Sequence, residues 1–176
     1  MGEIRLYKNP WKALKLLAIC TPFVALGIWI LTKEDSSIGE LIMGSLTTLF
    51  FGLGIVIGLF HLFDRRPQII INEIGIWDRT TNLELIKWEF IKNAYSFQLS
   101  GQKFVSLKLD KKFELKVKQY KWATKLSKAV GAQKVNLSLG QLKIDSIELK
   151  KLIIEMTKAE KTERINKVQI IQQQWS

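Results

Sequence analysis

Leu41-Ile42-Met43-Gly44-Ser45-Leu46-Thr47-Thr48-Leu49-Phe50-Phe51-Gly52-Leu53-Gly54-Ile55-Val56-Ile57-Gly58-Leu59-Phe60 is a run without a charged residue, and its reading decides the fold. Coiled as a helix at about 1.5 Å per residue it reaches about 30 Å, the thickness of a bilayer's hydrocarbon core. Its apolar character extends over residues 38–63, and a second apolar stretch, residues 11–31, lies just upstream. Together they predict a transmembrane hairpin. Trp11 and Trp29 are 18 residues apart, or about 27 Å along a helix, which sets one indole at each membrane interface. A soluble protein would need a large apolar partner surface to hide two such helices.

Charge gives the hairpin a direction. Of the formal +11, Arg5, Lys8, Lys12 and Lys15 stand against Glu3 over residues 1–15, and Arg65 and Arg66 follow the second stretch. The link between them carries Lys33 against Glu34, Asp35 and Glu40. Basic ends and an acidic tip predict, by the positive-inside rule, that the N-terminus and the large domain lie in the cytoplasm. Residues 32–37 then lie outside. Cys20 does not open a lipoprotein site, because bulky Ile19 precedes it and the apolar run continues to Leu31. Leu6 stands where a myristoylation signal needs Ser or Thr. One cysteine allows no intrachain disulfide.

Within the hairpin, Pro22 interrupts the first helix, and Gly44, Gly52, Gly54 and Gly58 stud the second. Gly54 and Gly58 form a small-xxx-small pair for close helix packing, within one hairpin or between copies. No charge lies between Leu41 and Phe60 or between Leu16 and Leu31, so an ion pathway has no titratable group. His61, beside Asp64, Arg65 and Arg66, reads as an interface residue.

Residues 1–66 are thus read as a basic leader and hairpin, residues 67–160 as one cytoplasmic domain, and residues 161–176 as a helical or frayed extension. After Pro67 apolar and polar residues alternate as in half-buried strands. The clearest case is residues 112–118, with Phe113, Leu115 and Val117 on one face. Val105, Leu107 and Leu109 repeat it, as do Tyr95, Phe97 and Leu99, and Val135, Leu137 and Leu139. Residues 68–72, 76–79 and 83–87 bring the expected set to about seven antiparallel strands. Gly75 is expected at positive φ between the first two, and Ser100-Gly101-Gln102 reads as a hairpin turn. Residues 120–130 show a helical period. Leu149, Leu152, Ile153 and Met156, behind Asp145 and Glu148, predict a C-terminal helix of about four turns.

An α+β membrane protein follows, with seven strands closed by one helix on the plan of the pleckstrin-homology superfold. Leu6-Tyr7-Lys8, Phe50-Phe51-Gly52, Ile71-Asn72-Glu73-Ile74-Gly75-Ile76 and Ile86-Lys87-Trp88-Glu89-Phe90-Ile91 give the chain a resemblance to a family of two-pass bacterial membrane proteins with a pleckstrin-homology-like domain. The resemblance runs to about Glu160 and implies fold, carrying no catalytic residue. Trp88-Glu89-Phe90-Ile91 is read as a short helical turn whose aromatic residues plug the barrel.

The only Cys and the only His both lie in the hairpin, so the domain holds no Cys/His pair or zinc site. No phosphate loop or nucleophile elbow is present. No catalytic residue, metal site or cofactor is therefore expected, and the chain reads as a non-enzyme. Lys111, Lys112, Lys116 and Lys118, then Lys121, Lys125 and Lys128, form a cationic run suited to anionic lipid or an acidic partner. Lysines without a nucleic-acid motif, on a tethered domain, argue against nucleic acid. The expected function is a membrane-anchored interaction or scaffold module that binds a protein, its own copies or anionic lipid. An immunity protein neutralising a toxin, or an accessory subunit of a membrane complex, is the alternative.

Overall fold

The computed structural model describes residues 2–81, 83–114 and 135–175, and it falls into two compact units: Lys8–Arg65, and Met1–Tyr7 with Arg66–Ser176.

The first unit is a helical hairpin. Helix α1 (Pro10–Thr32) starts behind Asn9, whose side chain accepts the Trp11 N–H, and Pro10 occupies a first-turn position that has no use for an N–H. The helix continues through Pro22. Helix α2 (Ile38–Phe63) opens with a capping box, in which the Glu40 N–H reaches Ser37 Oγ at 3.3 Å and the Ser37 N–H reaches Glu40 Oε2 at 2.8 Å. Both helices are long and apolar enough to cross a membrane, and few of their side chains are buried. Leu46, Leu49, Phe50 and Val56 face outward. A core helix of a soluble protein would hide these side chains.

The second unit is α+β. Strands β1 (Ile4–Leu6), β2 (Ile69–Ile71), β3 (Gly75–Asp78) and β4 (Ile86–Lys87) form an antiparallel sheet in that order. Strands β5 (Ile91–Leu99), β6 (Gln102–Leu109) and β7 (Val135–Ser138) form a second. A single 3-10 turn, Trp88–Phe90, joins the sheets. Helix α3 (Lys111–Glu114) is one turn; helix α4 (Ser146–Lys158) and helix α5 (Lys161–Trp175) end the chain. Ile69, Ile71, Ile76 and Ile86 from one sheet, and Val105, Leu107, Val135 and Leu137 from the other, join one buried core with Trp88. Leu149, Leu152, Ile153 and Met156 of α4 close it, as their helical spacing predicts. Asp145 caps α4 by accepting the Ile147 N–H at 2.8 Å.

Several expectations are corrected. Residues 112–118 were to be a strand, yet Lys111–Glu114 is helical: Asp110 Oδ1 accepts the Lys112 N–H at 2.9 Å and starts a turn, while Phe113 lies against Phe90 with centroids 5.3 Å apart. The rest of that expected strand, and the helix expected over residues 120–130, lie outside the described residues. The expected buried face of β5 is inverted. A bulge between Ile91 and Asn93 shifts the register, so Ala94 is 1% exposed while Tyr95 and Leu99 are exposed. Gly75 does not have positive φ. It is required by close approach, because a Cβ there would lie 2.2 Å from the carbonyl oxygen of Ile86. Positive φ belongs instead to Ser100 and Gly101, the two loop residues between paired Leu99 and Gln102, as a type I′ hairpin demands.

Two terminal segments join the domain. The leader contains β1, which pairs antiparallel with β2 so that Leu6 faces Ile69 and the Gln68 N–H donates to the Leu6 carbonyl at 2.8 Å. The chain therefore leaves this sheet after β1, makes the whole hairpin and re-enters at β2. The extension forms α5 as a separate helix after a break at Ala159–Glu160, with Val168 1% exposed, and Lys167 Nζ 2.8 Å from Glu155 Oε2 on α4.

Candidate interaction surfaces

Of the lysines singled out for lipid or partner contact, Lys111 and Lys112 are exposed on α3, and Lys116, Lys118, Lys121, Lys125 and Lys128 lie outside the described residues. Helix α3 is tied to the 3-10 turn by the Asp110 N–H, which donates to the Phe90 carbonyl at 2.8 Å. The turn is tied to the β2–β3 connection, where the Trp88 indole donates to the Asn72 carbonyl at 2.9 Å. Lys111 and Lys112 thus sit near the end of the four-stranded sheet opposite Leu6 and Ile69. Asp110 pairs with Lys92 at 2.9 Å and so offsets part of this positive surface. The Lys112 N–H and the Lys92 ammonium hold the Asp110 carboxyl below its usual range.

Gly54 and Gly58 face α1. A Cβ on Gly54 would come within 2.6 Å of Cys20 Sγ, and one on Gly58 within 2.7 Å of Leu17 Cδ2. A Cβ on Gly44 would meet Ile30 and the Gly27 backbone, whereas Gly52 has open space around it. Three of the four glycines therefore set the distance between the two helices. Phe23 and Phe51 stack beside them at 4.3 Å.

The basic end of the hairpin holds a cluster that its sequence did not reveal. Lys8 Nζ donates to Asp64 Oδ2 at 2.9 Å and lies 3.3 Å from His61 Nδ1; the Asp64 side chain is only 2% exposed and that of Lys8 13%. An ammonium can only donate, so a hydrogen bond across this contact needs Nδ1 as its acceptor. His61 stood out in the sequence beside Asp64, but Lys8 is more than fifty residues away, and only folding brings it there.

A second polar cluster stands in the domain. Asp78 is 1% exposed; its Oδ2 accepts from Thr80 Oγ1 at 2.5 Å and its Oδ1 from Gln68 Nε2 at 3.4 Å. Burial raises its pKa, and the hydrogen bonds from Thr80 and Gln68 oppose the rise. These contacts fasten the β3 end to the residue preceding β2, which is structural work. Outward from β5 and β6, Phe97 and Phe104 stack at 5.2 Å in a cross-strand pair, flanked by exposed Tyr95 and Leu99. Among the described residues, no three His, Cys, Asp or Glu side chains gather as a metal ion would require.

No family model, curated protein or solved structure matches this chain.

Proposed function

We propose that the chain is a non-catalytic, membrane-anchored interaction module of the bacterial inner membrane, with a pleckstrin-homology-like domain in the cytoplasm that engages a protein partner, another copy or anionic lipid. The observation that carries the reading is the placement of the hairpin between the hydrogen-bonded strands β1 and β2. A domain whose sheet includes residues on both sides of the hairpin is tethered through two strands, and both must lie on one side of the bilayer that the hairpin crosses. A four-stranded and a three-stranded antiparallel sheet followed by an amphipathic helix support the pleckstrin-homology-like assignment. The partly exposed aromatic face of β5 and β6 and the lysines of α3 supply surfaces on which such a module can dock.

Isolation of the full chain from native membranes in mild detergent, with mass spectrometry of co-purifying proteins and lipids, tests this proposal. A stoichiometric protein partner, or self-association with retained lipid, is expected. A monomer that retains neither and turns over a substrate would contradict it.

A further inference from the structure

We propose that the basic end of the helical hairpin is a binding surface for anionic phospholipid headgroups, with Lys12, Lys15 and Arg65 as the contact residues. The inference rests on the reading of the hairpin as membrane-spanning and gives it a lipid preference.

Over residues 8–15 and 61–65 the charged side chains are Lys8, Lys12, Lys15 and Arg65 against Asp64. Folding turns the single carboxylate inward: its side chain is 2% exposed and bonded to Lys8, itself only 13% exposed. Lys12, Lys15 and Arg65 are exposed at this end. Lys12 and Lys15 lie three residues apart on α1 and share a face. Lys15 stands about one turn deeper than Trp11, and its flexible stem can run back along the helix to carry the ammonium to headgroup level.

The apolar part of the surface fits the same ligand. Trp11 on α1 is 64% exposed and Phe63 on α2 is 73% exposed, one aromatic from each helix at the end that carries the cations. An indole with one polar edge belongs at a membrane interface. The opposite end carries the other sign: Glu34, Asp35 and Glu40 outnumber Lys33, which lies 3.8 Å from Glu40. A lipid with a net negative headgroup is thus attracted to one end and repelled from the other, and the bilayer around the hairpin is its source.

The full chain is to be placed in nanodiscs of equal phosphatidylglycerol and phosphatidylcholine, and the lipids that remain bound counted by native mass spectrometry. Retained phosphatidylglycerol should exceed phosphatidylcholine by about tenfold at low salt, falling as salt is raised. The triple variant Lys12→Gln, Lys15→Gln, Arg65→Gln should bring the ratio close to one, and should lower it more than Lys111→Gln with Lys112→Gln does. Equal incorporation of all forms into pure phosphatidylcholine discs would show that the hairpin is intact. A wild-type ratio near one, or loss of preference only in the Lys111/Lys112 variant, would overturn the headgroup site while leaving the span in place. A chain that enters neither disc would overturn the span itself, and the site with it.

Discussion

The indole of Trp88 is 1% exposed and donates from Nε1 to the Asn72 carbonyl, so one side chain both fills the core and satisfies a turn. Trp88→Ala should cost about 3–5 kcal/mol in chemical denaturation, from lost burial and cavity. Trp88→Phe keeps most of the apolar volume and should recover most of that loss, leaving a deficit of about 1 kcal/mol for the missing hydrogen bond. This residue was legible in the sequence because an aromatic-rich turn follows a short strand signal. Asp78 was not, since its meaning depends on Gln68 and Thr80 being brought to it. Its folded pKa is raised by burial, so between the unfolded and folded values the folded state binds more protons. Stability therefore falls as pH rises through that window, upward from the ordinary carboxylate range. Asp78→Asn should flatten this part of the stability profile. Asp110, Asp145 and Glu155, whose pKa values are lowered, act with the opposite sign and lose their contribution as pH falls below that range.

Among the elements, the long periodic ones were readable and the short ones were not. The apolar runs predicted residues 11–31 and 38–63, against Pro10–Thr32 and Ile38–Phe63 in the structure, and α4 carries the four core residues that its spacing named. Strand β1 has three residues, too few to show a period, and its partner follows only after the whole hairpin. The β5 bulge reversed a face because a single extra residue moves every later side chain across the sheet. The alternation around Phe113 misled for a related reason: Asp110 offers the backbone a helical start that period-two patterning does not register. Helix packing in the hairpin can be checked with one pair of variants. Gly54→Leu should lower the thermal midpoint of the detergent-solubilised protein by several degrees, because even its Cβ would meet Cys20. Gly52→Leu, with open space around it, should leave the midpoint within about 1 °C.

At the scale of the whole molecule, the two units are joined by threading: the hairpin interrupts a sheet between its first two strands. Charge along the sequence predicts that the N-terminus and the domain share one side of a membrane; what the structure shows is that residues 4–6 and the domain belong to one sheet. The lysine-rich run was legible as a composition, but its role was not, because cations near a sheet end serve ion pairs such as Lys92 with Asp110 as readily as ligands. The central claim is the hairpin that crosses the bilayer and returns, and labelling with a membrane-impermeant maleimide in spheroplasts tests it most directly. In a Cys20→Ser background, Asp35→Cys at the hairpin tip should label in intact spheroplasts, and Gln141→Cys on the domain only after lysis. Labelling of both before lysis, or of Gln141→Cys alone, would contradict the account.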